Sequence, residues 1–282
     1  MVIRRVTGLD PDPRPDFFIE RGPNEKGVGR WVPEQKHMYL TKYIDGTREA
    51  AKKWSQRIFV DPFCGPGRIQ VEGESVTRDG GALIAWRQSQ FSGAPYTQLL
   101  IGDLIPERAN ACEARLKAVG APAHGFSGPA ATTVHQMIQQ VPRTALCTVY
   151  LDPYNLELLS FDIIEALAEL KAVDFAVHFS TMDLTRNMDF EFDPVRARFD
   201  GTAPNWRERV DLRGNNKSRG HSLFFDYWVS LIKELGFTFS ESMPLITNNS
   251  NHGIYRLVFF SRHELPNRIW GDVAKGPNKE LF

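Results

Sequence analysis

The sequence predicts a Rossmann-like, doubly wound α/β fold with a mostly parallel seven-stranded sheet, and three observations carry that prediction. Short runs rich in β-branched and aromatic residues alternate with helical periodicity five times between about residues 57 and 180. Four of these runs lead into Asp61, Asp103, Ser127 and Asp152, at the carboxyl ends of strands where open α/β sheets bind ligands. Two further strand-like runs, 237–240 and 253–260, predict a C-terminal antiparallel pair joined through residues 248–251.

Residues 1–30 hold Pro11, Pro13, Pro15, Gly22, Pro23, Gly27 and Gly29 among charged side chains. They predict an irregular arm, partly disordered or serving as a lid, ahead of one domain over 31–282. From 33 to about 45, Met38, Leu40, Tyr43 and Ile44 recur at helical spacing, with Pro33 opening the helix and Gly46 closing it. Ile58, Phe59 and Val60 form the first strand, and Pro62 turns the chain after Asp61. A polar loop, 72–79, precedes a helix over 80–90 capped by Asp79.

The second strand, 98–102, ends in Asp103, and Pro106 opens a helix that Gly120 stops. A weak strand, 121–126, leads through Ser127 and Gly128 into a helix ending near Pro142. The fourth strand, 145–151, meets Asp152-Pro153-Tyr154-Asn155; helix 161–171 and strand 173–179 complete the fifth unit. Right-handed crossovers then make the sheet parallel. Between about 181 and 219 the apolar periodicity lapses into a polar insertion, a candidate for the substrate side, before helix 221–235 closes at Gly236.

At 282 residues the chain can bury one sizeable core. Its 34 basic and 34 acidic residues cancel, so no global field draws in nucleic acid or membrane. Cys64, Cys112 and Cys147 form no Cys-x-x-Cys pair, which speaks against a disulfide framework or a cysteine zinc site. The seven histidines show no ligand spacing on one helix face, so no metal is assigned. With no apolar signal region and no run of about 18 apolar residues, a cytoplasmic protein without a membrane partner is expected.

The stretch 57–68, Arg-Ile-Phe-Val-Asp-Pro-Phe-Cys-Gly-Pro-Gly-Arg, organises the chain. Gly65 and Gly67 supply positive φ and let backbone approach a ligand without an intervening Cβ. A dinucleotide fingerprint would place a third glycine where Gln70 stands, and a P-loop would need Lys-Ser or Lys-Thr, so NAD and ATP are disfavoured. A carboxylate followed by Gly-x-Gly suits S-adenosylmethionine, whose ammonium and sulfonium are cationic. A tight strand-to-loop turn would use the same residues. In the insertion, Trp206, Arg207 and Arg209, with Arg213, Lys217 and Arg219 beyond, pair an aromatic ring with basic groups that could track phosphates and stack a base; a solvated helix-and-loop face is the alternative, and the composition favours it slightly.

The chain resembles the three-Cys-motif partner protein family, whose members are similar to class I S-adenosylmethionine-dependent methyltransferases. The resemblance rests on Trp31, Lys36, Leu40 and Tyr43, on residues 60–67, on Leu151-Asp152-Pro153-Tyr154, on Asp174 and Arg186, and on Tyr255-Arg256-Leu257 and Ser261-Arg262-His263. It implies a methyltransferase-like fold and a partner carrying a three-cysteine motif. It further implies that Asp61, Phe63, Gly65 and Gly67 meet the cofactor, that Asp103 holds its ribose hydroxyls and that Ser127 contacts adenine. A carboxylate can accept two charge-assisted hydrogen bonds from a diol.

Asp152-Pro153-Tyr154 is similar to the Asp-Pro-Pro-Tyr box of amino-methyltransferases acting on nucleobases, with one proline fewer. Asp152 and Tyr154 are thus the catalytic candidates, with a nitrogen of a nucleic acid or nucleotide-like molecule as acceptor and DNA or RNA among the partners. Two other readings fit the same residues: a non-catalytic partner subunit, and a nucleic-acid processing factor.

Overall fold

The computed structural model describes residues 5–187, 197–210, 217–248 and 250–275. A π-type turn over Val32–Lys36, with Pro33 in its first turn, runs directly into α1 (His37–Ala51). Gly46 does not end this helix as its sequence predicts. It sits in the interior because a Cβ there would come within 2.9 Å of Ile269, so glycine admits a close helix crossing.

The chain continues through β1 (Arg57–Asp61), β2 (Arg68–Gln70), β3 (Thr77–Asp79), α2 (Gly81–Phe91), β4 (Gln98–Asp103), α3 (Pro106–Ala118), β5 (Ala123–Ser127) and α4 (Ala130–Gln139). Then come β6 (Leu146–Leu151), α5 (Phe161–Ala168), β7 (Ala172–Ser180), α6 (Thr181–Asn187), α7 (Trp206–Arg209), α8 (Lys217–Glu234), β8 (Thr238–Phe239), β9 (Leu245–Thr247), β10 (Gly253–Ser261) and α9 (Glu264–Ala274). The main sheet runs β5-β4-β1-β6-β7-β10-β8, with β9 also on β10. Pairings from β5 through β7 are parallel; β10 is antiparallel to β7, β8 and β9. This is a doubly wound arrangement whose order reverses at β1.

Strand alternation divides the core into two layers. Ile58, Val60, Val149 and Leu151 face the layer filled by α4, α5 and α8, while Phe59, Tyr150 and Leu257 face the one filled by α1, α2, α3 and α9. Three elements differ from expectation. The 72–79 loop closes on β3, which pairs with β2 as a hairpin. The outer edge of β10 carries two short strands, β8 and β9, and β9 leads into β10 through the turn at Asn248. Helix α9 has no sequence-based counterpart; its Trp270 is buried and stacks on Phe259 at 4.9 Å.

Among its described residues, 5–30, the arm holds no helix or strand but is packed. Glu20 and Val28 bridge to Ile69 and Val71 of the hairpin region. The fully buried Arg115 guanidinium donates to both carboxylate oxygens of Asp12 and to the carbonyls of Arg14, Phe17, Phe18 and Pro66. Arg68 donates to Asp79, Thr77 and the Asp10 carbonyl. Asp79 therefore caps no helix: its carboxylate meets Arg68 and Arg87, and Gly80 occupies the N-cap of α2.

Candidate active site at the strand ends

The site gathers where β1, β4 and β6 end. Asp61, the last residue of β1, is buried, and one carboxylate oxygen accepts the Phe63 N–H at 3.0 Å. Burial pushes its pKa well above the usual carboxylate value; the Phe63 N–H opposes this, Asp152 and Asp103 add to it, and Lys36 opposes it. Phe63 is half-buried against the α4/α5 layer. The Cys64 N–H donates to the Gly102 carbonyl, tying the loop to β4.

The two loop glycines do different work. Gly67, at φ +78°, is packed: a Cβ would lie 2.9 Å from Leu83 and 3.1 Å from the Cys112 sulfur. Gly65, at φ +58°, would project a Cβ into open space with nothing within 4 Å. Asp103 accepts the Ile105 N–H at 2.9 Å, with the Gly65 amide also facing it. Burial raises its pKa, against those amides and Arg108. Ser127 is exposed and in register with Asp103.

Asp152 lies just beyond β6, partly exposed, in an ion pair with the buried Lys36. The Lys36 ammonium is enclosed by Tyr255 and Trp31, 4.7 and 5.3 Å from their ring centroids. Burial alone would raise the Asp152 pKa, but Lys36 and His178 hold it below the ordinary carboxylate value. His178, fully buried on β7, has its Nδ1 3.8 Å from Asp152, and neither ring nitrogen has a hydrogen-bond partner among the described residues. Burial, partly offset by Asp152, lowers its pKa to about 3; burial and then Lys36 lower that of His37 to about 4. His37 also lines a cavity of about 460 Å³ between residues 5–7 of the arm, α1 and Arg78. Tyr154 is 69% exposed at the rim.

The structure thus brings Asp61, Phe63, Gly65, Gly67, Asp103, Ser127 and Asp152 to one end of the sheet, and the insertion packs on the loop after Asp152, where Thr202 donates to the Leu156 carbonyl and the Phe161 N–H to the Gly201 carbonyl. Trp206 is a correction. Its ring is buried against Phe224, and its indole N–H donates to Asp200, because this part of the insertion fills the core with Phe199 and Ala203. It cannot stack a base. Arg207 lies over the Trp206 ring and pairs with Asp200, while Arg209 is exposed. Arg213 lies outside the described residues, and nothing is assigned to the Lys217 side chain. Asp183 is structural, accepting the Leu156 N–H at 2.8 Å.

Lys36, His178 and Tyr150 enter the site without having been read as functional. Lys36 and His178 are separated from Asp152 by 116 and 26 residues, so no local spacing signals the cluster. Among the described residues no group of three His, Cys, Asp or Glu could hold a metal ion, and no helix is long and apolar enough to cross a membrane.

The fold is a doubly wound, mostly parallel α/β sheet whose strand ends gather carboxylates and a glycine loop. No family model matches the chain, and neither does any curated protein. Among solved structures it is similar to an O-methyltransferase from Bacillus cereus in complex with SAH (7% identity, 80% of each chain covered, TM-score 0.40). It is also similar to the O-methyltransferase TomG from Streptomyces achromogenes, in complex with SAM (12%, 79% of this chain and 88% of that one, 0.42), and to an rRNA methylase from Streptococcus thermophilus (12%, 80% and 93%, 0.38).

Proposed function

We propose that this protein binds S-adenosylmethionine over the glycine loop and transfers its methyl group to an acceptor held near Asp152. The observation that carries the reading is Gly65: a left-handed backbone at which a Cβ would meet nothing within 4 Å, in the loop that leaves Asp61 and with its amide facing Asp103. The donor set fits this cofactor. Asp103 can take the ribose diol, and Asp61 can face the cationic amino-acid end, where a cation favours the ionised carboxylate that burial disfavours.

When bound, the cofactor supplies an electrophilic methyl group on a sulfonium. Asp152, kept ionised by Lys36, is suited to accept an N–H from a nucleophilic nitrogen and align its lone pair. The exposed Tyr154 ring can lie against a flat acceptor, which supports a nucleotide-like substrate; the burial of Trp206 removes one support for a polymer. Action with a three-cysteine-motif partner belongs to the same proposal and rests on the sequence resemblance. The Lys36 ammonium on Asp152 favours one competing reading, a non-catalytic partner subunit, because it already occupies one of the two carboxylate oxygens.

Calorimetric titration with S-adenosylmethionine and S-adenosylhomocysteine, on wild type and Asp61→Ala, tests the cofactor. Saturable binding lost in the variant supports it, and absence of binding by folded wild type, alone and with the partner, overturns it. Methyl transfer that persists unchanged in Asp152→Asn removes Asp152 from the reaction.

A further inference from the structure

His37 differs from the other buried polar groups on this side of the sheet. The Tyr150 hydroxyl and the His178 ring also lack hydrogen-bond partners among the described residues, but both side chains are sealed in the core. The His37 ring is 6% exposed, makes no hydrogen bond among the described residues, and lines the cavity of about 460 Å³ beneath the arm. Leaving a buried polar group unpaired is unfavourable, so an imidazole turned into a cavity marks a place where a ligand completes the bonding. The volume lies within the range of small-molecule sites, about 300–1,000 Å³.

The roof of the cavity is fixed in place. The Val6 N–H donates to Gln88 Oε1 at 3.0 Å, the Asp79 N–H to the Gly8 carbonyl at 2.9 Å and the Arg78 guanidinium to the Thr7 carbonyl at 3.3 Å, which ties the arm to α2 and the hairpin. Two of its walls lead to the strand-end site. His37 follows Lys36, which holds Asp152, and Ile84 lies one turn along α2 from Gly81, where a Cβ would come within 3.9 Å of Asp61 Oδ2.

The wall also carries unpaired charges of both signs. Arg78 is engaged by both oxygens of Glu74, whereas the Arg5 and Glu34 side chains make no ion pair or hydrogen bond among the described residues. Burial and then Arg5 lower the Lys42 pKa, which puts a second cation near Arg5. His37 stays neutral, because burial and then Lys36 lower its pKa to about 4, so one ring nitrogen donates and the other accepts. Met38 and Ile84 add apolar surface. An anion suits Arg5, hydroxyl donors suit Glu34, and a flat ring with polar edges suits the apolar wall and His37. A nucleoside monophosphate carries all three.

We infer that the cavity between the arm and α1 binds a nucleoside monophosphate, with its phosphate on Arg5, its ribose hydroxyls on Glu34 and its base edge on His37. The inference rests on the proposed function for the ligand's part as acceptor, and it assigns that part to a mononucleotide rather than a polymer.

The test titrates wild type and Arg5→Gln, saturated with S-adenosylhomocysteine so that the glycine loop is filled, with the four ribonucleoside 5′-monophosphates and their nucleosides. Arg5 is exposed, so its replacement leaves the fold intact. In wild type at least one monophosphate should bind about tenfold or more tightly than its nucleoside. Arg5→Gln should lose most of that preference, with nucleoside affinity within about twofold of wild type. The bound monophosphate should also shift the ring signals of His37 in NMR spectra, assigned with His37→Gln. No preference in any of the four pairs overturns the pocket, as does a preference undiminished in Arg5→Gln or His37 signals that stay in place. Repeating the titrations without S-adenosylhomocysteine separates the two readings. Monophosphate preference in a protein that fails to bind S-adenosylhomocysteine overturns the cofactor and supports the pocket; S-adenosylhomocysteine binding without that preference does the reverse.

Discussion

Lys36, buried in the turn that opens the first helix, forms an ion pair with Asp152, 116 residues away just beyond β6. The pair pins the start of α1 to the carboxyl end of β6, and it holds Asp152 ionised against its burial. Removing the ammonium alone should leave an uncompensated carboxylate beside aromatic rings.

Lys36→Met is expected to destabilise the fold by about 3 kcal/mol at neutral pH, with much of the loss recovered in Lys36→Met/Asp152→Asn. The pH dependence should change sign at this position. In wild type the folded pKa of Asp152 lies below its ordinary value of 3.8, so its contribution is present above that pH and fades as pH falls through the folded pKa. In Lys36→Met burial raises the pKa, and acidification should relieve the strain. Denaturant midpoints between about pH 3 and 7 measure both effects.

Gly65 and Gly67 should separate binding from stability. Gly67→Ala drives a Cβ into Leu83 and Cys112 at positive φ and should cost about 2–4 kcal/mol. Gly65→Ala meets open space and should cost about 1 kcal/mol for its backbone alone, while weakening S-adenosylhomocysteine binding by about tenfold or more. Thermal melts beside titrations give both numbers.

Arg115→Met removes the cation that gathers Asp12 and four carbonyls. A loss of about 3–5 kcal/mol is expected. The arm between Asp12 and Phe18 should become the first site of limited proteolysis, detected by mass spectrometry of the early fragments.

Trp206→Ala should lower stability by about 3–5 kcal/mol through a core cavity, and Trp206→Phe by less. Unfolding curves check this. A stable Trp206→Ala protein with altered nucleic-acid retention would contradict the burial of the ring.

The parallel core of this fold was legible because buried strands and their crossover helices leave local marks: Phe59 and Val60 before Asp61, Pro106 after Asp103, Gly120 after α3. Contacts made over long separations leave none. Gly46 reads as a helix stop, and only the approach of Ile269 explains its place inside α1. Trp206 among arginines reads as a surface platform until Phe224 and Asp200 are seen to enclose it. The glycine loop and the carboxylates at the strand ends were readable from spacing; the Lys36 pair and the unpartnered Tyr150 hydroxyl were not, because burial and partners are properties of the assembled sheet.

The clamp on the arm also orders events in time. Asp12 finds its partner in Arg115, 103 residues later in the chain, and the Asp10 carbonyl waits for Arg68. On the ribosome the arm therefore emerges long before the guanidinium groups that fix it, and it can settle only after the glycine loop and α3 have been made. Because Arg115 grips Pro66 as well as Asp12, one side chain joins the seating of the arm to the shaping of the loop.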